Sequence, residues 1–271
     1  MKLPPGRFFG EVLYRSGGDG LSLNLARYGP GREQPFHVHT NPTFFIPIRG
    51  VHRDLTRRDS LDQQEFAPVF HATDEPHSSA VGPEGMVGLN LEYEPGWLER
   101  HRLKEADLGG YRMLAPSVWT RLAALRLLCG AVGVVADADL HSQGLELLEP
   151  LVRAASPDEC RTPVWLRRAE EFLHGHFREP VSLRDAAREA GVHPVYFART
   201  FRRRHGCPVS AYLRALRLAE AGRLILRRGE SLAGAASEAG FADQAHLTRC
   251  FRRQFGFTPR AVRVARDAFP A

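Results

Sequence analysis

Six arginines near the C-terminal end of the chain form two matched sets of three. They are Arg199, Arg202, Arg203, Arg249, Arg252 and Arg253. A guanidinium group is planar and forms paired hydrogen bonds with phosphate oxygens or with guanine. The pattern therefore favours nucleic-acid recognition. Lysine occurs only at Lys2 and Lys104, so a general arginine bias of the genome explains the choice of arginine equally well.

These arginines belong to an internal repeat. One copy, SLRDAAREAGVHPVYFARTFRRRHG, starts at Ser182, and the other, SLAGAASEAGFADQAHLTRCFRRQFG, starts at Ser231. Seven positions match at an offset of 49 residues, and five more match at an offset of 50 after one inserted residue. A match this dense indicates two copies of one structural unit.

Each copy predicts two helices joined by a glycine turn. Ser182 is suited to capping the first helix, with Asp185 as a short form of the capping box. Small apolar residues then allow a close approach of the second helix. Gly191 and Gly240 fit the turn, where positive φ is common.

The second helix of each copy has one apolar face. Phe197 and Phe201 are four residues apart, as are Leu247 and Phe251, so each pair lies on a buried face. The arginines point largely elsewhere, and Gly206 and Gly256 end these helices. This is the helix-turn-helix pattern, in which the second helix enters the major groove. The alternative is a helical bundle with solvated arginines, which two matched copies argue against.

The connecting segment, residues 208–230, has leucines at near-helical spacing. A helix of about 18 residues would span roughly 27 Å. Successive major grooves on one face of DNA are about 34 Å apart. We therefore expect two recognition helices that read neighbouring grooves, with some bending of DNA or protein.

Residues 163–266 resemble the DNA-binding domain of the AraC/XylS family of transcription regulators. The similarity is carried by the pattern A-A-x-E-A-G-F-x-D-x-x-x-L-x-R-x-F-x-R-x-F-G-x-T-P, which runs from Ala235 to Pro259. The first copy departs from it, with Val192 at the phenylalanine position and Cys207-Pro208 in place of F-T-P.

The resemblance implies which side chains contact DNA. Groove-facing positions correspond to Val195, Ala198, Arg199, Gln244, Ala245, His246 and Arg249, and the backbone-contacting positions nearby to Arg202, Arg203, Arg252 and Arg253. Glutamine can pair with adenine, arginine with guanine, and small apolar side chains can touch thymine methyls. For the small residues, the absence of any base contact is an equal alternative. We expect Asp243 to cap its helix rather than meet DNA.

Residues 7–94 contain short extended runs that predict a small β-barrel or sandwich. The runs are LSLNLARY, TFFIPIRGVHR, QEFAPVF and MVGLNLEYE, separated by the turn-like segments GGDG, YGPGRE and GPEG. On a strand, His37 and His39 would share one face and could bind a metal together.

The spacing Gly31-x5-His37-x-His39, followed by Gly50 and His77, resembles the cupin barrel. This resemblance implies a divalent metal held by His37, His39 and His77. The glutamate of the usual four-ligand set is Thr43 here, so that set is incomplete. The alternative is that these histidines only line a pocket or form hydrogen bonds.

Between these regions, residues 111–155 predict two leucine-rich helices. The AraC/XylS resemblance implies that this segment forms a dimer contact, and the alternative is that both helices pack on the barrel.

Charge is divided unevenly along the chain. Residues 1–159 contain 16 Lys and Arg against 21 Asp and Glu, a formal charge of −5, whereas residues 160–271 contain 21 against 10, a charge of +11. The basic part is therefore expected to meet a polyanion. No apolar signal segment or spanning helix is predicted, so we expect a cytoplasmic protein with no membrane partner. Cys129, Cys160, Cys207 and Cys250 form no C-x-x-C pair and predict no redox or zinc site.

The sequence thus predicts an α+β protein with three parts. These are a cupin-like sensor barrel (1–110), a helical linker and dimerisation segment (111–158), and a DNA-binding domain with two helix-turn-helix units (159–271). The expected function is sequence-specific DNA-binding transcription regulation. The expected partners are double-stranded DNA, a small-molecule effector, a second copy of the chain and, for an activator, RNA polymerase. We expect no enzymatic activity. The alternatives are a metal-dependent cupin enzyme with a DNA-binding appendage and an architectural DNA-binding protein.

Overall fold

The computed structural model describes residues 1–56, 60–114, 117–134, 140–154, 162–227 and 230–269. The chain divides into two compact units, one of residues 1–156 with 268–271 and one of residues 157–267. Strands lie in the first unit and helices fill the described part of the second, which confirms the α+β class. Cys160 and the expected boundary at 158–159 lie outside the described residues.

The described part of the first unit contains nine strands. They are β1 (Lys2–Leu3), β2 (Glu11–Gly18), β3 (Leu21–Tyr28), β4 (Glu33–His39), β5 (Thr43–Thr56), β6 (Ser60–Gln63), β7 (Val69–His71), β8 (His77–Tyr93) and β9 (Tyr111–Met113). The long strand β8 is central, with β3 and β4 along one edge and β5 along the other. β5 also pairs with β6 and β7, β7 with β9, β2 with β3, and β1 runs parallel to β4. Among the described residues these pairings do not close into a ring.

Two details of the sheet differ from expectation. The GPEG segment is not a turn between strands, because β8 continues through it. Both long strands instead bend together there: Gly50 has φ +96°, and a Cβ on it would collide with the Gly85 carbonyl oxygen. Only the end of QEFAPVF is a strand, since Phe66 is buried in a left-handed conformation with φ +63°.

The described part of the first unit also contains four helices. They are α1 (Pro95–Arg100), α2 (Glu105–Leu108), α3 (Val118–Ala131) and α4 (Leu140–Ala154). The two predicted leucine-rich helices are confirmed as α3 and α4. Most side chains of α3 are buried against the sheet and α4, which fits the packing alternative for this helix. α4 keeps an exposed face that includes Leu145 and Val152.

The second unit is helical in its described part. Its helices are α5 (Val164–His176), α6 (Leu183–Ala190), α7 (Pro194–His205), α8 (Val209–Leu226), α9 (Leu232–Glu238), α10 (Gln244–Phe255) and α11 (Pro259–Asp267). The 18-residue α8 confirms the predicted connecting helix and packs against α7, α9, α10 and α11.

The helix ends follow the sequence prediction. Ser182 and Asp185 form a capping box at α6. Left-handed glycines end α6, α7 and α10. Gly240, with φ +81°, is required for a second reason: a Cβ there would lie 2.6 Å from the carbonyl oxygen of Arg178. The turn after α9 therefore packs directly against the backbone at Arg178, where there is no room for a side chain.

Candidate functional site

Helices α7 and α10 occupy equivalent places in the two repeats. Each begins at a side-chain cap: His193 Nδ1 accepts a hydrogen bond from the Val195 amide, and Asp243 accepts one from the His246 amide at 2.6 Å. The capping role predicted for Asp243 is thus confirmed. The cap leaves its carboxylate engaged with backbone at the helix start.

The buried faces of these two helices fix which side chains point outward. Phe197, Phe201, Leu247 and Phe251 are fully buried, as the spacing predicted. The opposite positions are exposed or partly exposed. Val195, Arg199, Arg202, Arg203, Gln244, Ala245, Arg249, Arg252 and Arg253 are exposed, and Ala198 and His246 are partly buried. Every residue implied as a DNA contact therefore reaches the surface of its helix.

His246 is held more firmly than the other implied contacts. Its ring packs edge-on against Phe241, with the ring centroids 5.3 Å apart. This contact limits its reach, so phosphate or groove-edge contact suits it better than insertion between bases.

Two further residues on these helices went unnoticed in the sequence. Tyr196 is 55% exposed beside Val195, which is itself 70% exposed. Large apolar side chains left bare on a monomer surface often mark a binding surface. Thr248 lines a shallow cleft on α10 together with Arg249, Arg252 and Arg253. Its hydroxyl donates to the Gln244 carbonyl of the same helix at 2.8 Å, so Thr248 shapes the cleft rather than presenting a free donor. Only its position one residue before Arg249 could have signalled it.

An ion-pair cluster fastens the segment that follows α5 to α8. The Glu220 carboxylate accepts hydrogen bonds at 2.8 Å from Arg223 of α8 and from Arg178, which follows α5. The hydrogen bond from Arg223 outweighs burial and lowers the pKa of Glu220 to about 2. These arginines stabilise the fold, whereas the outward arginines of α7 and α10 remain available for a ligand.

The first unit contains a separate cluster of histidines. His37 and His39 share one face of β4, as predicted, and His77 lies directly across from His37 on β8. One nitrogen from each of the three rings lies within 4.8 Å of the others. All three side chains are buried, and they line a cavity of about 30 Å³.

The protonation of these rings suits metal coordination. His37 Nδ1 lies 2.9 Å from the Pro35 carbonyl and His77 Nδ1 lies 3.1 Å from the Glu75 carbonyl. A carbonyl only accepts, so each Nδ1 carries the hydrogen and each Nε2 keeps a lone pair. Burial lowers the pKa of all three imidazoles, that of His39 to about 3. Neutral imidazole is the form that binds metal.

Other polar residues of this cavity were not predicted from the sequence. His52 and Asp54 extend from β5 and His71 from β7, and all are buried. Burial by itself would raise the pKa of Asp54, but its hydrogen bond and charge interaction with His71 hold that pKa below its ordinary value. The sequence signal for these residues was the spacing of His52 and Asp54, because residues two apart on a strand point to the same face. Thr43 lines the same cavity and donates its hydroxyl proton to the Asn41 carbonyl.

No helix in the described part of the chain is long and apolar enough to cross a membrane.

Comparison with protein families matches residues 186–265 to a helix-turn-helix domain model. The match begins inside α6 and ends inside α11, so it contains both arginine-bearing helices. The chain is 35% identical over 97 residues to the HTH-type transcriptional activator RhaS of Escherichia fergusonii. It is 31% identical over 102 residues to the HTH-type transcriptional regulator ExsA of Pseudomonas aeruginosa.

These similarities cover 36% and 38% of this chain, and only 35% and 37% of the length of the two relatives. Among solved structures, an AraC-type DNA-binding regulator from Chromobacterium violaceum is 29% identical and has a TM-score of 0.36; the match covers 38% of this chain and 91% of that one. ToxT from Vibrio cholerae is 10% identical and has a TM-score of 0.40; the match covers 93% of this chain and 100% of that one.

The repeated capped helices, their outward arginines and the domain match define a double helix-turn-helix DNA-binding domain. Residues 186–265 thus form a helix-turn-helix domain similar to those of the HTH-type transcription regulators RhaS and ExsA.

Proposed function

We propose that this protein is a sequence-specific DNA-binding transcription regulator rather than an enzyme. The observation that carries the proposal is the pair of equivalent helices, α7 and α10, which are joined by α8 and each expose the three arginines that match between the repeats. Arg199, Gln244 and Arg249 read base edges, and Arg202, Arg203, Arg252 and Arg253 contact phosphates. Phosphate contacts position the protein and base contacts give specificity.

The test is selection of bound sequences from random DNA with the full-length protein at moderate salt. We expect a motif with two elements about one helical turn apart. Recovery of no motif, with random DNA bound as tightly as any single sequence, would contradict the proposal and favour an architectural protein. The matched control is a variant with Arg199, Gln244 and Arg249 all changed to alanine, which should lose the motif.

We further propose that the first unit holds one divalent metal ion at His37, His39 and His77. The small cavity supports this, because about 10–15 Å³ is enough for one water molecule, whereas drug-sized ligands occupy pockets of about 300–1,000 Å³. Three neutral imidazoles suit zinc, copper, iron or nickel. The metal then acts as the small effector of the regulator.

Metal analysis of protein purified without chelator tests this second proposal. We expect about one transition-metal ion per chain and its loss in His37→Ala. Affinity for the selected DNA is then measured with and without metal, to decide whether the metal acts as an effector or serves an enzyme. A change in DNA affinity supports an effector site, and an unchanged affinity would instead favour the cupin-type enzyme with a DNA-binding appendage.

We also propose that two copies of the chain associate through the exposed face of α4. Leu145 and Val152 are seven residues apart and 37% and 40% exposed, the spacing of a helix-pairing seam. The homodimer acts in the cytoplasm and, if it activates transcription, contacts RNA polymerase.

A further inference from the structure

The carboxylate of Asp54 is a buried charge close to the proposed metal site. Its side chain is 1% exposed and lines the same cavity as His37, His39 and His77. A buried carboxylate is costly unless hydrogen bonds and an opposite charge compensate it. Among the described residues that line this cavity it is the acidic one.

The compensation of this charge by the protein is incomplete. Asp54 Oδ2 accepts hydrogen bonds from Gln63 (2.9 Å) and Tyr111 (3.2 Å) and lies 3.3 Å from His71 Nε2. Oδ1 lies 3.4 Å from His52 Nε2 but accepts no hydrogen bond from the described residues. The carboxylate thus keeps much of its negative potential inside the cavity.

His71 connects this carboxylate to the metal-binding rings. Its imidazole stacks on that of His77, with the centroids 3.8 Å apart and the planes 7° apart. On the adjacent strand, His71 pairs in register with Thr43, the position at which the cupin pattern has its glutamate. Thr43 cannot supply the negative charge that the cupin glutamate would supply. The Asp54 carboxylate supplies a negative charge nearby, in contact with His71.

We propose that Asp54 is the positioning residue of this metal site. Its carboxylate offsets the charge of a divalent cation bound by three neutral imidazoles, and it holds the His71 ring against His77 so that the His77 ring is fixed. This inference rests on the metal site proposed above. It assigns to the Asp54–His71 pair the part that a fourth, anionic ligand plays in a four-ligand site.

The experiment is titration of the metal-free full-length protein with Co²⁺, followed by calorimetry and by the visible d–d absorption of the bound ion. Loss of a partner behind the ligands typically weakens metal binding about 10–100-fold. We expect a loss of this size, with an altered Co²⁺ spectrum, in Asp54→Asn. Asparagine keeps an oxygen acceptor for Gln63 and Tyr111, so the metal-free variant should retain its fold.

The matched control is Asp62→Asn, the same change on β6 at a carboxylate that pairs with Arg53 at the surface. It should bind Co²⁺ as the unaltered protein does. His71→Gln, which keeps an amide donor for Asp54 but removes the stacked ring, should weaken binding as well, and it decides the matter if Asp54→Asn is insoluble.

The two proposals fail in different ways. If the unaltered protein binds no Co²⁺, or if His37→Ala binds it equally well, the metal site itself is refuted. If the unaltered protein binds one ion through His37 and both Asp54→Asn and His71→Gln bind it with the same affinity and spectrum, the metal site stands and the role of Asp54 is overturned.

Discussion

Arg249 and Arg252 lie on the same helix, but their expected roles in DNA binding differ. Arg249 takes a groove-facing position, where a bidentate contact with guanine is worth about 1–3 kcal/mol of discrimination. Arg252 is exposed in the last turn of α10, where a phosphate contact is expected. The two side chains allow base reading and backbone contact to be separated within one helix.

We predict that Arg249→Ala weakens binding to the selected site by about 1–3 kcal/mol and relaxes the preference at one base pair. Arg252→Ala should weaken binding to all sequences to a similar extent. Equilibrium binding to the selected site and to single-base variants measures both effects. Equal losses for every DNA in both variants would show that Arg249 reads no base.

Glu220 gives a prediction about stability and pH. Its pKa is about 2 in the folded protein against an ordinary value of 4.5, so its contribution is fully present above about pH 5 and is lost as the pH falls toward 2. At about 1.4 kcal/mol per pKa unit, this contribution is at most about 3–4 kcal/mol. Urea unfolding should show Glu220→Gln destabilised by about 2–3 kcal/mol at pH 6 and by much less at pH 3.

Glu238→Gln, at an exposed carboxylate of α9, serves as the control for this change of charge. It should differ little from the unaltered protein at either pH. A Glu220→Gln deficit that is as large at pH 3 as at pH 6 would indicate lost packing rather than a lost ion pair.

The sequence predicted the residues of the DNA-binding helices more completely than those of the histidine cavity. The arginines of α7 and α10 were found because they repeat at fixed positions on helices whose buried faces are read from local spacing. His37 and His39 were found because they alternate on a single strand. Asp54 and His71 were missed, because they lie on different strands, β5 and β7, and meet only through the tertiary fold, which is not encoded locally.

The same contrast holds for whole elements. Helix ends in the second unit were predicted well, because caps such as Ser182, Asp243 and Gly256 act within one or two turns. The GPEG segment was misjudged because its glycines and proline look like a turn, whereas β8 continues through them and Gly85 lies against Gly50 where both strands bend. Phe66 broke an expected strand because it is drawn into the core with a left-handed backbone.

The exposed face of α4 predicts an oligomer. Leu145→Glu and Val152→Glu place charges on the proposed pairing seam, where they cannot be buried without cost. We predict that sedimentation equilibrium shows a dimer for the unaltered protein and a monomer for the double variant. Val164→Glu alters an equally apolar side chain that is 71% exposed on α5, and it should leave the dimer intact. A monomeric unaltered protein would refute the seam.

At the scale of the whole molecule, the division of charge determines how the protein meets DNA. The basic part carries +11 and the remainder −5, so attraction to a polyanion is confined to one unit. A large part of the arginine charge in the second unit is exposed, and the single Glu220 carboxylate pairs with only Arg178 and Arg223. Binding should therefore be strong at low salt and fall steeply as salt rises.

The slope of log K against log salt concentration measures the number of phosphate contacts. Each contact contributes about −0.9 to the slope of log K against log salt concentration. With Arg202, Arg203, Arg252 and Arg253 on phosphates, we predict a slope of about −4 for one bound chain and about −7 for a dimer with both chains engaged. Arg252→Ala should reduce the slope by about 1 or about 2, respectively. Filter binding between low and moderate salt measures both slopes, with the Leu145→Glu, Val152→Glu double variant beside the unaltered protein.

A slope that is the same for the two proteins would mean that dimerisation adds no second DNA contact. A slope halved in the double variant would mean that both copies of the dimer bind DNA at once.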